Sequence, residues 1–207
     1  MLNVRKGTTT VGIKCRDGVV LAADKRATAG YAVANKEVVK IAKVTDFCAG
    51  TIAGTVSEAF EIMHTLRAEA ALYAVRTERP ISVKGIASLA SEILNSQKFY
   101  SLPVQLILGG YDTEPRLFMI DFFGSLSEES FIASGSGSPV AVGVLRNAYT
   151  DTLDVQKGVE LAAQAVNAAI GWDPASGEGI TLVTVDSSGA KYLPYSGAPP
   201  RPKRLPE

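Results

Sequence analysis

Between Ser57 and Tyr100 the sequence carries two long helical periods in succession, with β-rich runs on both sides, and this grouping restricts the possible folds more than any other feature. From Ser57 to Glu78, the residues Ala59, Ile62, Met63, Leu66, Ala70 and Tyr73 recur at three- and four-residue steps, the spacing of one helical face. Thr55 and Glu58 are placed to form a capping box in front of it. A second helix is predicted from Ser82 to about Tyr100, with Val83, Ile86, Ala87, Ala90, Ile93 and Leu94 on its apolar face and Thr77–Pro80 as the break before it. The strand-like runs before this pair are Thr8–Cys15, Val19–Asp24, Val38–Val44 and Phe47–Gly54. The first two flank Arg16-Asp17-Gly18, where Asp-Gly is expected to supply the positive φ of a hairpin turn. After Pro103 come Val104–Asp112, Arg116–Phe122 and Ser127–Ala133, then helical segments near Val140–Tyr149 and Val155–Ala169, the latter capped by Asp154. Ile180–Asp186 and Lys191–Tyr195 close the pattern as a hairpin around Ser187-Ser188-Gly189. Strands and helices in separate runs, without βαβ alternation, predict an α+β domain of mainly antiparallel sheets with helices outside. The segment Gly197–Glu207, with four prolines and three cations, is expected to be a surface extension.

Charge and rare residues then exclude several classes of function. Lys and Arg total 21 and Asp and Glu total 21, so the basic footprint of a protein that binds nucleic acid or an anionic membrane is missing. No run approaches the roughly eighteen uncharged apolar residues of a membrane span, and Met1–Gly7 has no signal-peptide core. A cytoplasmic protein with reduced thiols is expected. Two cysteines and one histidine fall short of a four-ligand zinc site, so no structural metal is expected. His64 is the one histidine and sits within the first helical period, where a surface or core-edge position suits it better than a catalytic one. Cys15 and Cys48 lie in apolar strand-like surroundings and read as buried, inert thiols. With 46% hydrophobic residues and no net charge, the surface favours association.

Two loops are ambiguous in isolation. Gly135-Ser136-Gly137-Ser138-Pro139 precedes a helix and can present backbone N–H groups to an anion, yet it lacks the lysine of a phosphate-binding loop. Asp173-Pro174-Ala175-Ser176-Gly177 reads as an Asx turn ending a helix. Both gain meaning beside four other stretches: G-T-T-T-V-G from Gly7, L-A-A-D-K-R-A-T from Leu21, V-V-K-I-A-K-V from Val38 and T-I-A-G from Thr51. Through these six stretches, over essentially the whole chain after Gly7, the sequence resembles the β subunits of archaeal 20S proteasomes, which are N-terminal-nucleophile threonine peptidases.

That resemblance implies a four-layer αββα sandwich and an endopeptidase that needs no cofactor. Thr8 corresponds to the nucleophile, exposed when the bond after Gly7 is cut, with residues 1–7 as a propeptide and 8–196 as the peptidase domain. Asp24, Arg26 and Lys40 correspond to the charged cluster beside it, and Gly54 to the backbone donor of the oxyanion hole. Ser136, Asp173 and Ser176 correspond to the polar group that holds the threonine and its amine. The substrate pocket falls on Ala27, Thr28, Val38, Ala42, Ile52, Val56 and Phe60. Trp172 departs from the basic residue expected before the aspartate. The implied partners are proteasome α subunits, further β subunits in seven-membered rings, an ATPase regulator and unfolded polypeptide substrates, with neither nucleic acid nor membrane among them. A non-catalytic β paralogue of the same ring, or a small-molecule amidase of the same nucleophile class, are the alternatives.

Elementary chemistry supports such a site. A threonine hydroxyl is a poor nucleophile at neutral pH, and a free α-amine, with a reference pKa of about 7.7 to 8.0, titrates where a general base should. Lys40 beside Thr8 is expected to lower the pKa of the amine and hydroxyl and to stabilise an alkoxide, with Asp24 holding the ammonium in place. A β-branched nucleophile has fewer rotamers than serine, and glycine at position 54 lets a substrate carbonyl approach a backbone N–H.

Overall fold

The computed structural model describes residues 7–30, 32–97 and 103–195. The N-terminal residues 1–6 of the expected propeptide, the end of the second predicted helix and the tail from 196 lie outside the described residues. One five-stranded antiparallel sheet holds β1 (Thr10–Cys15), β2 (Gly18–Asp24), β10 (Phe131–Ser134), β11 (Ile180–Asp186) and β12 (Gly189–Leu193), in the order β10-β1-β2-β11-β12. The other runs β5 (Ile41–Thr45), β6 (Cys48–Gly54), β7 (Val104–Tyr111), β8 (Pro115–Ile120), β9 (Leu126–Glu128) in sequence order. A short hairpin, β3 (Ala27–Ala29) with β4 (Ala32–Asn35), stands apart from both. The helices are α1 (Val56–Thr77), α2 (Val83–Gln97), α3 (Ser138–Ala148) and α4 (Val155–Trp172).

Side-chain alternation along the strands turns these elements into four layers. In β2, Val20 and Ala22 pack with Ala141 and Leu145 of α3 and with Leu161 and Val166 of α4. Val19, Leu21 and Ala23 face the opposite way, toward Ile107 and Leu117 of the second sheet. Every residue of β2 is buried, as expected of a strand covered on both faces. The second sheet repeats the logic: Leu106, Leu108 and Phe118 pack on Ile62 and Leu66 of α1 and on Ile86 and Ala90 of α2. Gly12 permits the close approach of the sheets, since a Cβ there would meet Leu117 at 2.7 Å and Ile107 at 2.9 Å. The protein is therefore an α+β, four-layer αββα sandwich, as expected.

Several local expectations are corrected. The run Ser127–Ala133 is not one strand: Glu129 N–H bonds Leu117 O of one sheet (3.0 Å) while Ser130 O accepts from Lys14 of the other (2.8 Å), so the chain changes sheets there. Val38–Lys40 precedes β5 as irregular backbone, and the β3–β4 hairpin carries no period long enough to read. Gly18 does not adopt positive φ; it is needed because a Cβ there would lie 2.6 Å from Val185 O. The capping box is not formed, since Glu58 accepts from Ser57 instead (2.8 Å) and Thr55 makes no side-chain cap bond. Asp154 does cap α4, accepting from Lys157 N at 2.9 Å. Among the described residues no helix is long and apolar enough to cross a membrane.

Candidate active site

Thr8 lies two residues before β1, at the end of the first sheet where Thr10 is paired with both Ala23 of β2 and Ser134 of β10. Its side chain is nearly buried, at 7% exposure. The loop after β10 packs against its backbone: Gly137 N–H donates to Thr8 O (3.3 Å), and Gly135 has φ +89°. A Cβ at Gly135 would overlap the Thr8 carbonyl oxygen, and one at Gly137 would overlap the Thr9 hydroxyl. The two glycines of the G-S-G run are therefore spacers that let Ser136 reach the threonine.

Asp24 ends β2 and Lys40 sits just before β5, so the two sheets each contribute one charge, both essentially inaccessible to solvent. Lys40 Nζ donates to Asp24 Oδ1 (2.7 Å) and to Thr8 Oγ1 (3.1 Å). Three backbone donors complete the aspartate: Thr9 N on Oδ1 (2.9 Å), and Arg26 N (3.1 Å) and Gly177 N (3.0 Å) on Oδ2. Burial pushes the Lys40 ammonium below its ordinary value of 10.5, with Asp24 opposing the shift. The Thr8 hydroxyl in turn donates to the carbonyl oxygen of Gly7 at 2.7 Å. It thus bridges a buried amine and the carbonyl of the peptide bond that joins Gly7 to Thr8.

A second network approaches from the other side. Ser136 Oγ accepts from Thr8 N (3.2 Å) and donates to Asp173 Oδ2 (2.5 Å). Ser176 Oγ donates to the same oxygen (2.7 Å) and is 2.7 Å from the Thr9 hydroxyl. Asp173 Oδ1 accepts from Ala175 N (3.1 Å), the Asx turn foreseen from sequence. Trp172 ends α4 with 81% of its surface exposed.

The structure brings Thr8, Asp24, Lys40, Ser136, Asp173 and Ser176 together. Arg26 joins them only through its backbone, because its guanidinium turns to Pro174 O (2.8 Å) and Glu178 (3.0 Å). Gly54 ends β6 with φ +104°, and Pro103 O occupies the space of a Cβ, so only glycine fits. Of the pocket residues, Ala42, Ile52 and Phe60 share one apolar cluster, while Ala27, Val38 and Val56 are half-buried. Thr28 accepts from Gly7 N at 3.1 Å. Sequence reasoning misses Thr9, whose hydroxyl joins the Ser176–Asp173 hydrogen-bond network; its place in the T-T-T run is the available signal.

The remaining candidates lie elsewhere. His64 is exposed on α1. Cys15 and Cys48 are free and buried, and burial pushes each thiol up to about 12. No group of three His, Cys, Asp or Glu among the described residues is placed to hold a metal. A cavity of about 1250 Å³ between the β5–β6 turn, α1 and α2, lined by Phe47, Ala70, Ile81 and Tyr111, shares no residue with the Thr8 cluster.

Comparison with known proteins agrees with this architecture. The family model described as "Proteasome subunit" matches residues 4–185. The chain is 45% identical over 195 residues to "Proteasome subunit beta 2" of Aeropyrum pernix, covering 93% of this chain and 89% of that protein. It is 49% identical over 184 residues to "Proteasome subunit beta 2" of Hyperthermus butylicus (89% and 87% covered). It is 44% identical over 189 residues to "Proteasome subunit beta 1" of Korarchaeum cryptofilum (91% and 92% covered). With its four-layer fold and these relatives, the chain belongs to the proteasome subunit family.

Proposed function

We propose that this chain is a catalytic β subunit of an archaeal-type proteasome, a threonine endopeptidase whose nucleophile is Thr8. The observation that carries the reading is the position of the Thr8 hydroxyl, 3.1 Å from the buried Lys40 amine and 2.7 Å from the Gly7 carbonyl oxygen. In the full chain the Thr8 nitrogen is part of a peptide bond and cannot act as a base. Lys40, whose neutral form burial favours, first gives up a proton to solvent; the Thr8 hydroxyl then turns from Gly7 O, and the free amine takes its proton as Oγ1 attacks the Gly7 carbonyl carbon. The C–N bond then breaks, the nitrogen takes the proton, and Gly7 is left as an ester on Oγ1. Water hydrolyses that ester, releasing residues 1–7 and a free α-amine.

In the processed chain the new amine, beside Ser136, is the general base for substrate cleavage. The hydroxyl attacks a substrate carbonyl, the leaving amine takes the proton, and water resolves the acyl-enzyme. Gly54 is assigned as the oxyanion donor. The pocket residues Ala27, Val38, Ala42, Ile52, Val56 and Phe60 contain no charge to compensate a buried cation, which favours cleavage after apolar residues. Assembly into rings with α subunits and other β subunits, with unfolded chains delivered by an ATPase, completes the reading. The intact Thr8, Asp24 and Lys40 cluster favours the enzyme over a structural paralogue. Thr8→Ala tests it: the assembled variant is expected to hydrolyse no peptide, and hydrolysis at the wild-type rate would refute the assignment.

A further inference from the structure

Glu178 stands one residue beyond the D-P-A-S-G run and has a left-handed backbone, φ +65°. Among the described residues only Glu78 shares that conformation without being glycine, and Glu78 is the C-cap of α1, where it is ordinary. Glu178 caps no helix, since α4 already ends at Trp172 with Asp173 as its C-cap. Gly179 follows with φ +102°, and the next residue, Ile180, pairs with Asp24 in the β2–β11 ladder. The turn therefore sets how the chain leaves the site loop and enters the strand beside the buried aspartate.

The Arg26 side chain contacts this loop at three places. The Glu178 carboxylate lies 3.0 Å from the Arg26 guanidinium, both side chains being about one-quarter exposed. The other arm of Arg26 donates to Pro174 O at 2.8 Å, and its flat face fills the place where a Cβ on Gly177 would stand. The backbones of Arg26 and Gly177 both donate to Asp24 Oδ2, and Lys25 N donates to Gly177 O (3.1 Å). Arg26 Nε is buried with no hydrogen-bond partner among the described residues, so the guanidinium keeps this position at the cost of one donor.

We propose that Glu178 is a positioning residue for the threonine site. Its ion pair with Arg26 latches the 173–178 loop so that Asp173 and Ser176 stay aligned on Ser136 and Thr9, and Gly177 N–H on Asp24. This rests on the threonine-peptidase reading, but Glu178 touches neither Thr8 nor Lys40 and acts through Arg26.

The test compares Glu178→Gly, Glu178→Ala and Glu178→Gln in the full chain co-expressed with α subunits. Glycine relaxes the left-handed backbone while removing the carboxylate, so the variant folds with an unchanged Tm. Its kcat is expected to fall about three- to tenfold with KM changed less than about twofold. Glutamine retains a hydrogen bond to Arg26 and recovers part of the loss, whereas alanine does not. Hydrogen exchange of the peptide covering 174–179 is expected to accelerate about tenfold in the glycine variant, with β2 amides unaffected. Wild-type exchange and wild-type kcat in Glu178→Gly would overturn the latch. Should the wild-type protein cleave no peptide, the peptidase reading fails and exchange alone decides: acceleration upholds the latch, and its absence refutes it.

Discussion

Replacing Lys40 separates proton transfer from charge pairing. Lys40→Met removes the amine 3.1 Å from Thr8 Oγ1 and leaves Asp24 in a buried site. Breaking a buried ion pair from one side typically costs about 3 to 5 kcal/mol. Three backbone N–H groups still hold Asp24, which places the loss at the lower end, about 3 kcal/mol. For a chain of this size that is a Tm decrease of roughly 6 to 12 °C, with the fold retained. Removing a general base costs about 10²- to 10⁴-fold in rate, so self-cleavage after Gly7 should fall by at least about 100-fold. Lys40→Arg keeps a cation for Asp24 but cannot release its proton at accessible pH. It should recover much of the Tm loss without recovering self-cleavage.

The assay is intact mass spectrometry of the assembled protein over time, which follows the loss of residues 1–7, with calorimetry for Tm. Self-cleavage by Lys40→Arg within about tenfold of wild type would refute proton transfer through Lys40 and leave it a structural partner of Asp24. Low Tm combined with normal cleavage in Lys40→Met would refute it equally.

Four further outcomes are expected. Because burial holds Lys40 below 10.5, the rate of self-cleavage should rise with pH and level off before that value. The unfolded chain binds this proton more tightly, so the group adds stability as pH rises toward 10.5, read from Tm against pH in wild type and Lys40→Met. Fluorogenic peptides with an apolar residue before the cut should turn over faster than basic ones, and the reverse order would contradict the pocket assignment. Gly135→Ala, whose Cβ overlaps Thr8 O at φ +89°, should lose about 3 kcal/mol of stability and most peptide hydrolysis, measured by denaturation and turnover.

Much of this architecture was legible because hydrophobic period is a local property of the chain. Ala59, Ile62, Met63, Leu66 and Ala70 do form the buried face of α1, and Val83, Ile86, Ala87, Ala90 and Leu94 that of α2. The α+β class followed from their grouping. What failed depended on tertiary partners: Ser127–Ala133 looks continuous, yet its halves pair with different sheets. At the site, residue types at Thr8, Asp24 and Lys40 were readable only through the resemblance, since nothing local in V-V-K shows that position 40 faces position 24. Thr9 and Glu178 stayed hidden because their roles depend on where a distant loop folds back. The resemblance groups Arg26 with the charges beside Thr8, but its long side chain reaches Glu178 and Pro174 O instead.

The N-terminus of the protein assembled with α subunits tests the nucleophile assignment most directly. Intact mass and N-terminal sequencing should show wild-type chains beginning at Thr8 and Thr8→Ala chains still carrying Met1–Gly7. Wild-type assemblies that retain residues 1–7 while cleaving peptides, or Thr8→Ala chains trimmed after Gly7 at the normal rate, would contradict it.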